Sequence, residues 1–112
     1  MKIAIPVVDE QLCPHFGHCS HFAMVEVDDD AKKIRGISYV EPPPHEPGVL
    51  PRWLHEQQVD MILAGGMGAR AQQLFEQNNI RVVVGCATAS AEALANAFLA
   101  GNLETGDNLC DH

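Results

Sequence analysis

The 112-residue sequence has few basic side chains and no long apolar run. Lys and Arg number 7 against 15 Asp and Glu, which gives a formal net charge of -8 with histidine neutral. Because nucleic-acid affinity depends largely on Lys and Arg contacts to phosphate, this balance argues against nucleic acid and acidic membranes as partners. No stretch approaches the roughly 20 apolar residues of a membrane span, so we expect no membrane association.

The sequence also lacks a recognisable signal peptide, because Pro6 and Asp9 interrupt the short apolar run near its start. We therefore expect a cytoplasmic protein. In that compartment its 4 cysteines are more often thiols, metal ligands or redox groups than structural disulfides.

The length and the 46% apolar composition predict one globular domain over residues 1–112, with a flexible polar tail at 102–112. Apolar runs predict strands and amphipathic spacing predicts helices. Residues 9–20 are predicted to form a long loop, and Pro6 a bulge or strand end. The predicted strands are 2–8, 21–27, 34–41, 59–64 and 80–84, and the predicted helices are about 50–58, Gly68 to 78 and Ser90 to Gly101.

Apolar strands joined by helices favour parallel pairing with both faces of the sheet covered, and the early hairpin adds an antiparallel strand. The prediction is therefore an α/β domain with a mixed five-stranded sheet and three helices. Ser90 is expected to cap the last helix. Residues expected to face the core are Leu50, Trp53, Leu54, Ala71, Leu74, Phe75, Leu94, Ala97 and Phe98.

The densest chemical region is the loop that runs from Cys13 to His21. Thiolate and imidazole ligands suit iron–sulfur, copper and zinc centres, although C-x5-C is not the C-x2-C spacing of zinc knuckles or common ferredoxins. In the alternative interpretation, His21 begins a strand and is only hydrogen-bonded, and Cys19 is a small buried apolar residue. The candidate metal ligands in this loop are Cys13, His15, His18 and Cys19.

A second candidate is the glycine turn that follows a strand and opens a helix, Gly65-Gly66-Met67-Gly68. Glycines there are expected to adopt positive φ and to expose backbone N–H groups, which together with the helix N-terminus make an anion site. The pattern G-x-G-x-x-A also fits, but the acidic ribose partner of a dinucleotide site is missing. The alternatives are a tight turn needed only for packing, and a packing role for Met67.

Further candidate ligands are Cys110 in the tail, and then Cys86, His45 and His112. Cys86 follows a strand, at the end where α/β folds place their ligands. The sequence contains no P-loop, no G-x-S-x-G motif and no recognisable pair of catalytic carboxylates, so we expect a protein that is not an enzyme.

Four segments resemble the nitrogenase iron–molybdenum cofactor biosynthesis family, in the family's order and over nearly the whole chain. They are C-P-H-F-G-H-C, H-E-P-G-V-L-P-R-W-L, G-G-M-G and N-L-C-D-H. The resemblance implies a ribonuclease-H-like mixed sheet with three parallel strands plus the hairpin. It also implies that the H-F-G loop and the glycine turn lie at one end of the sheet. The cofactor-binding residues carried over by the match are His15, Phe16, Gly17, Gly65, Gly66, Met67 and Gly68.

The function implied is a carrier that stores or delivers a metal–sulfur cluster of the iron–sulfur, iron–molybdenum cofactor or molybdenum–copper sulfide type. The cluster is held by thiolates or by backbone amides, and the protein can be purified without it. Proteins that donate or receive the cluster are the expected partners, and the chain is expected as a monomer or weak dimer. The alternative is a redox- or metal-responsive interaction protein that acts with a cell-division-type ATPase and has no catalysis of its own.

Overall fold

The computed structural model describes residues 1–13, 19–44 and 48–106. Within these ranges the chain forms six strands and three helices in one mixed α/β domain. The strands are β1 (Lys2–Val8), β2 (Gln11–Leu12), β3 (His21–Asp28), β4 (Lys33–Val40), β5 (Met61–Leu63) and β6 (Arg81–Val83). The helices are α1 (Val49–Glu56), α2 (Ala69–Gln77) and α3 (Ala91–Leu99).

The sheet order is β4-β3-β1-β5-β6, with β2 paired to β1 outside this path. β1, β5 and β6 are parallel, whereas β3 is antiparallel to both β1 and β4. The mixed sheet and the three helices confirm the predicted class among the described residues. The ribonuclease-H-like label stays a prediction.

The predicted count of five strands is wrong, because β2 forms inside the segment expected to be a loop. Asp9 and Glu10 both have positive φ, at 52° and 67°, so they make a two-residue hairpin that returns the chain onto β1. Asn or Gly normally supplies such a turn, and the sequence Asp-Glu gave no signal for it. The carboxyl end of β1 is therefore paired with β3 on one side and with β2 on the other.

Pro6 lies within the continuous β1–β3 register, so the expected bulge or strand end at this position is also wrong. The Pro6 carbonyl accepts a hydrogen bond from Cys13 N–H at 2.9 Å, on the side of β1 away from β3. Because N–H and C=O of one strand residue point the same way, the missing N–H of Pro6 also faces that side. There β1 changes neighbours, from β5 at residues 3–4 to β2 at residues 7–8.

Two apolar clusters cover the two faces of the sheet. Residues 3, 5 and 7 of β1 pack beneath α3, and Ala4 packs with α1 and α2 on the other face. We call these the α3 face and the α1/α2 face. The core-facing residues are mostly as expected, but Ala91 and Ala95 are buried where Ala97 is only half-buried, and Leu74 is half-buried beside Phe75. α3 thus turns its small residues inward, which brings it close to the sheet.

Residues 102–106, at the start of the predicted flexible tail, contact the end of β6 and the apolar cluster of the α3 face. Thr105 forms an antiparallel bridge with Cys86, and Gly106 N–H donates to the Gly85 carbonyl at 2.7 Å. Leu103 packs against the apolar cluster of the α3 face. Residues 107–112 lie outside the described part of the chain, and the flexibility of the tail stays a prediction. No helix within the described ranges is long and apolar enough to cross a membrane.

Candidate functional site

Most of the predicted site residues that are described lie at one edge of the sheet. The parallel strands β1, β5 and β6 all end there, and β4 ends there as well because it runs parallel to β1. Each helix follows one of these strand ends, so all three helices begin at this edge. Ligands of open α/β sheets bind at this carboxyl edge.

Cys13 and Cys19 flank residues 14–18 and belong to the α1/α2 face. Cys13 is 3% exposed, and its hydrogen bond to Pro6 sets it opposite that residue. Because strand side chains alternate and cross-strand neighbours share a face, Cys13 lies on the face of Ala4. Cys19 is half-buried against the apolar cluster of the same face. The geometry therefore places two thiols on one face at the functional edge.

Cys86 lies on the opposite face, within the apolar cluster under α3. It is 7% exposed, and burial raises the pKa of its thiol above the ordinary value of 9.0. Because the thiolate is the ligand species, the burial of Cys86 would have to be relieved before it could bind a metal, as would that of Cys13 at 3% exposed. The fold therefore places Cys86 on a different face of the sheet from Cys13 and Cys19, which the sequence alone could not show.

The glycine turn leads from β5 into α2, and its backbone differs from the expectation. Positive φ occurs among the described glycines at Gly48, Gly85 and Gly101 and not at the turn, where Gly68 has φ -65° and ψ 154°. A Cβ added at Gly68 would meet no atom of the described residues within 4 Å. Within those ranges, neither the backbone conformation nor the packing requires a glycine at position 68. Because Gly68 has no side chain, a ligand could approach the backbone at the start of α2 closely.

Met67 and Gln72 hold this turn in place. The Met67 side chain is fully buried in the cluster of the α1/α2 face, which agrees with the packing alternative for this residue. The Met67 carbonyl accepts a hydrogen bond from the Gln72 side-chain amide at 2.9 Å. Gly65 and Gly66 are buried within the same turn.

The starts of the helices differ between the two faces. Gly48 and Gly68 precede α1 and α2, with no side-chain cap and no acidic residue in the first turn. On the other face Ser90 Oγ accepts from Ala93 N–H at 3.1 Å, and Glu92 lies in the first turn of α3. Among the described residues no side chain caps these N–H groups, and such groups together with the helix dipole favour an anion beside α1 and α2. The thiols and the open helix starts share one face.

A network of backbone hydrogen bonds joins the parts of this edge. Gly85 N–H donates to the Gly65 carbonyl at 2.8 Å, and Leu12 N–H donates to the Ala89 carbonyl at 2.9 Å. The segment after β6 therefore bridges from the glycine turn to β2, next to Cys13. His21 begins β3 with its Nδ1 3.1 Å from Ser20 Oγ, which fits the hydrogen-bonded alternative for this histidine.

Several predicted ligands fall outside the described residues. Within 1–13, 19–44 and 48–106, no three His, Cys, Asp or Glu side chains come together in a metal-binding group. The predicted site residues beyond those ranges are His15, Phe16, Gly17, His18, His45, Cys110 and His112.

Sequence reasoning missed Gln72 and Gly85. The signal for Gly85 was available, because it ends its strand as Gly65 ends the preceding one. Its role depends on positive φ and on Gly106, which is distant along the chain. Gln72 gave no signal, since a glutamine in a helix is ordinarily a solvated side chain.

The fold described above is a mixed α/β domain, with a candidate ligand site at the carboxyl ends of its parallel strands. The chain belongs to the dinitrogenase iron–molybdenum cofactor family, whose model matches residues 1–101. This confirms the resemblance and associates the chain with metal-cluster cofactors. The identity of the cluster and a delivery role are matters for proposal.

Individual relatives agree with this assignment. The protein MJ0580 of Methanocaldococcus jannaschii is 32% identical over 107 residues, which cover 93% of this chain and 90% of the relative. The crystal structure of PH0822 superimposes with a TM-score of 0.85 at 29% identity, covering 94% of both chains. The apo orange protein of Desulfovibrio gigas has a TM-score of 0.72 at 21% identity, covers 96% of this chain and 93% of its own, and shares the fold.

Proposed function

We propose that this protein binds a metal–sulfur cluster as cargo at the carboxyl edge of the sheet, on the α1/α2 face, and exchanges it with donor or acceptor proteins. The observation that carries the proposal is the convergence there of two thiols with two helix starts that have no side-chain cap. Family membership supports the same class of cargo.

The chemistry of these groups suits an anionic cluster. Thiolates from Cys13 and Cys19 are soft ligands for iron, copper or molybdenum sulfides. Backbone N–H groups at the start of α2 are donors to bridging sulfides, and the helix dipole offsets part of the negative charge. Cys13 and Cys19 would hold the metal, and the residues around Gly68 would hold the sulfides.

The role proposed is binding and transfer rather than catalysis. Cys19 is half-buried and Gly68 is half-buried, so part of this edge is open to a partner protein. The partner would be a protein that supplies or receives the cluster. The competing proposal, an interaction protein that responds to redox state or metal, needs the same thiols but no bound sulfide.

Anaerobic loading tests the proposal. The protein would be incubated with ferrous iron and sulfide, and separately with tetrathiomolybdate and cuprous ion. Bound metal, bound sulfide and the visible spectrum would then be measured. We expect stoichiometric metal with sulfide-to-metal charge-transfer bands in one of the two series.

The cysteine variants make the test specific. Cys13→Ser and Cys19→Ser should lose most of the bound cargo, whereas Cys86→Ser, on the other face, should retain it. Equal loss in all three would mean that the face assignment is wrong. Binding of bare metal without sulfide would favour the interaction-protein alternative, and no binding in either series would exclude the carrier function.

A further inference from the structure

The segment 102–106 lies against the functional edge, and neither the family match nor the proposed function gives it a role. After α3 the chain turns at Gly101, where Asn102 N–H donates to the Ala97 carbonyl at 2.8 Å. It then runs back to the end of β6, where Thr105 bridges Cys86. We call residues 102–106 the strap.

Gly85 lies between the strap and the glycine turn. Its N–H donates to the Gly65 carbonyl at 2.8 Å, and its carbonyl accepts from Gly106 N–H at 2.7 Å. Both polar groups of this one residue are therefore committed, one to the turn and one to the strap. A movement of the strap must reorient Gly85 or break one of these hydrogen bonds.

Gly85 is the residue type that this contact requires. Its φ of +80° is a conformation that L side chains rarely adopt. A Cβ at this position would lie 2.1 Å from the Gly106 carbonyl oxygen. The backbones of Gly85 and Gly106 thus meet directly, and the contact transmits displacement because no flexible side chain separates them.

We propose that Gly85 is a positioning residue that couples the strap to the glycine turn, so that docking of the strap holds the turn in the conformation that binds cargo. Lifting the strap loosens the turn and lowers the affinity for the cluster. A partner that engages the strap would therefore promote release. The inference depends on the proposed function for the identity of the cargo, but not for the coupling between strap and turn.

The experiment uses a matched pair of substitutions at Gly106. Gly106→Pro removes the N–H that donates to Gly85. Gly106→Ala keeps it, and the nearest atom to the added Cβ is the Gly85 carbonyl oxygen at 3.9 Å. Leu103→Asn is a second way to lift the strap, through its apolar contact with the α3 face and without a change to the Gly85–Gly106 hydrogen bond itself.

Two measurements are made on the full chain. Amide hydrogen exchange of the unloaded protein reports on residues 64–68, with the central strands as internal reference. The second is the affinity for the metal sulfide that the wild-type protein takes up. In Gly106→Pro and Leu103→Asn we expect exchange at 64–68 to rise and cargo affinity to fall, each by about fivefold or more. Gly106→Ala should match the wild type.

The proposal is overturned if exchange rises at 102–106 in these variants while residues 64–68 and cargo affinity stay at wild-type values. It is also overturned if Gly106→Ala behaves like Gly106→Pro. If Gly106→Pro fails to fold, Leu103→Asn decides alone. If wild-type protein takes up no metal sulfide but the exchange effect is present, the carrier function fails and the coupling of strap to turn stands.

Discussion

α2 and α3 begin at the same edge of the sheet, on opposite faces, with nearly the same backbone at the residue before the helix. Gly68 has φ -65° and ψ 154°, and Ser90 has φ -68° and ψ 155°. Ser90 caps its helix with its own hydroxyl, whereas Gly68 has no side chain that could accept a hydrogen bond. Since the backbone is equivalent, the choice of residue decides whether the helix start has a side-chain cap.

The cysteines lie on both faces, although burial does not separate them, because Cys13 is 3% exposed and Cys86 is 7% exposed. Cys19 is half-buried on the face with the open helix starts, and Cys86 is buried under the capped helix with a raised pKa. The proposed cargo site therefore lies on the face without a side-chain cap, and the capped helix lies on the other face. The following predictions test that division, beginning with the largest expected effect.

Truncation of a core side chain should lower the free energy of unfolding by more when that side chain is more deeply buried. Phe75 is fully buried on the α1/α2 face, so Phe75→Ala should lower the free energy of unfolding by about 3–5 kcal/mol. Phe98 on the α3 face is only half-buried, and Phe98→Ala should cost less than half as much. Urea unfolding of both variants would measure this, and equal losses would contradict the burial assigned to the two helices.

Removal of the cap on α3 should affect stability alone. Ser90→Ala deletes the hydroxyl that accepts from Ala93 N–H, which should lower the free energy of unfolding by about 1 kcal/mol. Cargo loading should equal that of the wild type, because this helix start lies on the other face. Ser90→Thr is the control, since it keeps the acceptor. Reduced loading in Ser90→Ala would show that the two faces are not independent.

Addition of a cap at Gly68 should raise the free energy of unfolding and weaken the binding of cargo. Gly68→Asp supplies an acceptor and a negative charge at the start of α2, with a backbone that accommodates it. The free energy of unfolding should rise by about 0.5 kcal/mol. An anionic cargo should bind more weakly, because the aspartate competes for the same N–H groups. Gly68→Ala separates added bulk from charge, and undiminished loading in Gly68→Asp would contradict an anion site.

The smallest expected effect is on the pH dependence of the free energy of unfolding. Because the pKa of Cys86 is raised in the folded protein, the neutral thiol contributes stability that is present below the unfolded pKa and lost as pH rises through the folded pKa. Unfolding measured between about pH 8 and pH 11 should show a decline that is shallower in Cys86→Ala. In the wild type, the Cys86 thiol should be alkylated more slowly than the Cys19 thiol, because it is more deeply buried. Faster alkylation of Cys86 would contradict its burial beneath α3.

The sequence by itself determined the class of fold and where the chemistry is concentrated. Strands and helices can be predicted from the periodicity of apolar residues in short segments. When apolar strands alternate with amphipathic helices, few arrangements bury both faces of the sheet. The Ser90 cap and the glycine turn before α2 were also predictable, because capping and strand-to-helix turns depend on neighbouring residues. The four motifs sufficed to identify the family.

Only the tertiary structure decided which groups act together. The hairpin at Asp9 and Glu10 gave no sequence signal, yet it turns Cys13 toward the face of Cys19. Cys86 was a secondary candidate from its place after a strand, and only the packed sheet placed it beneath α3. Gly85 requires its glycine because of Gly106, a residue remote along the chain. Faces and cross-chain contacts depend on strand order and register, which are properties of the packed sheet and not of any local segment.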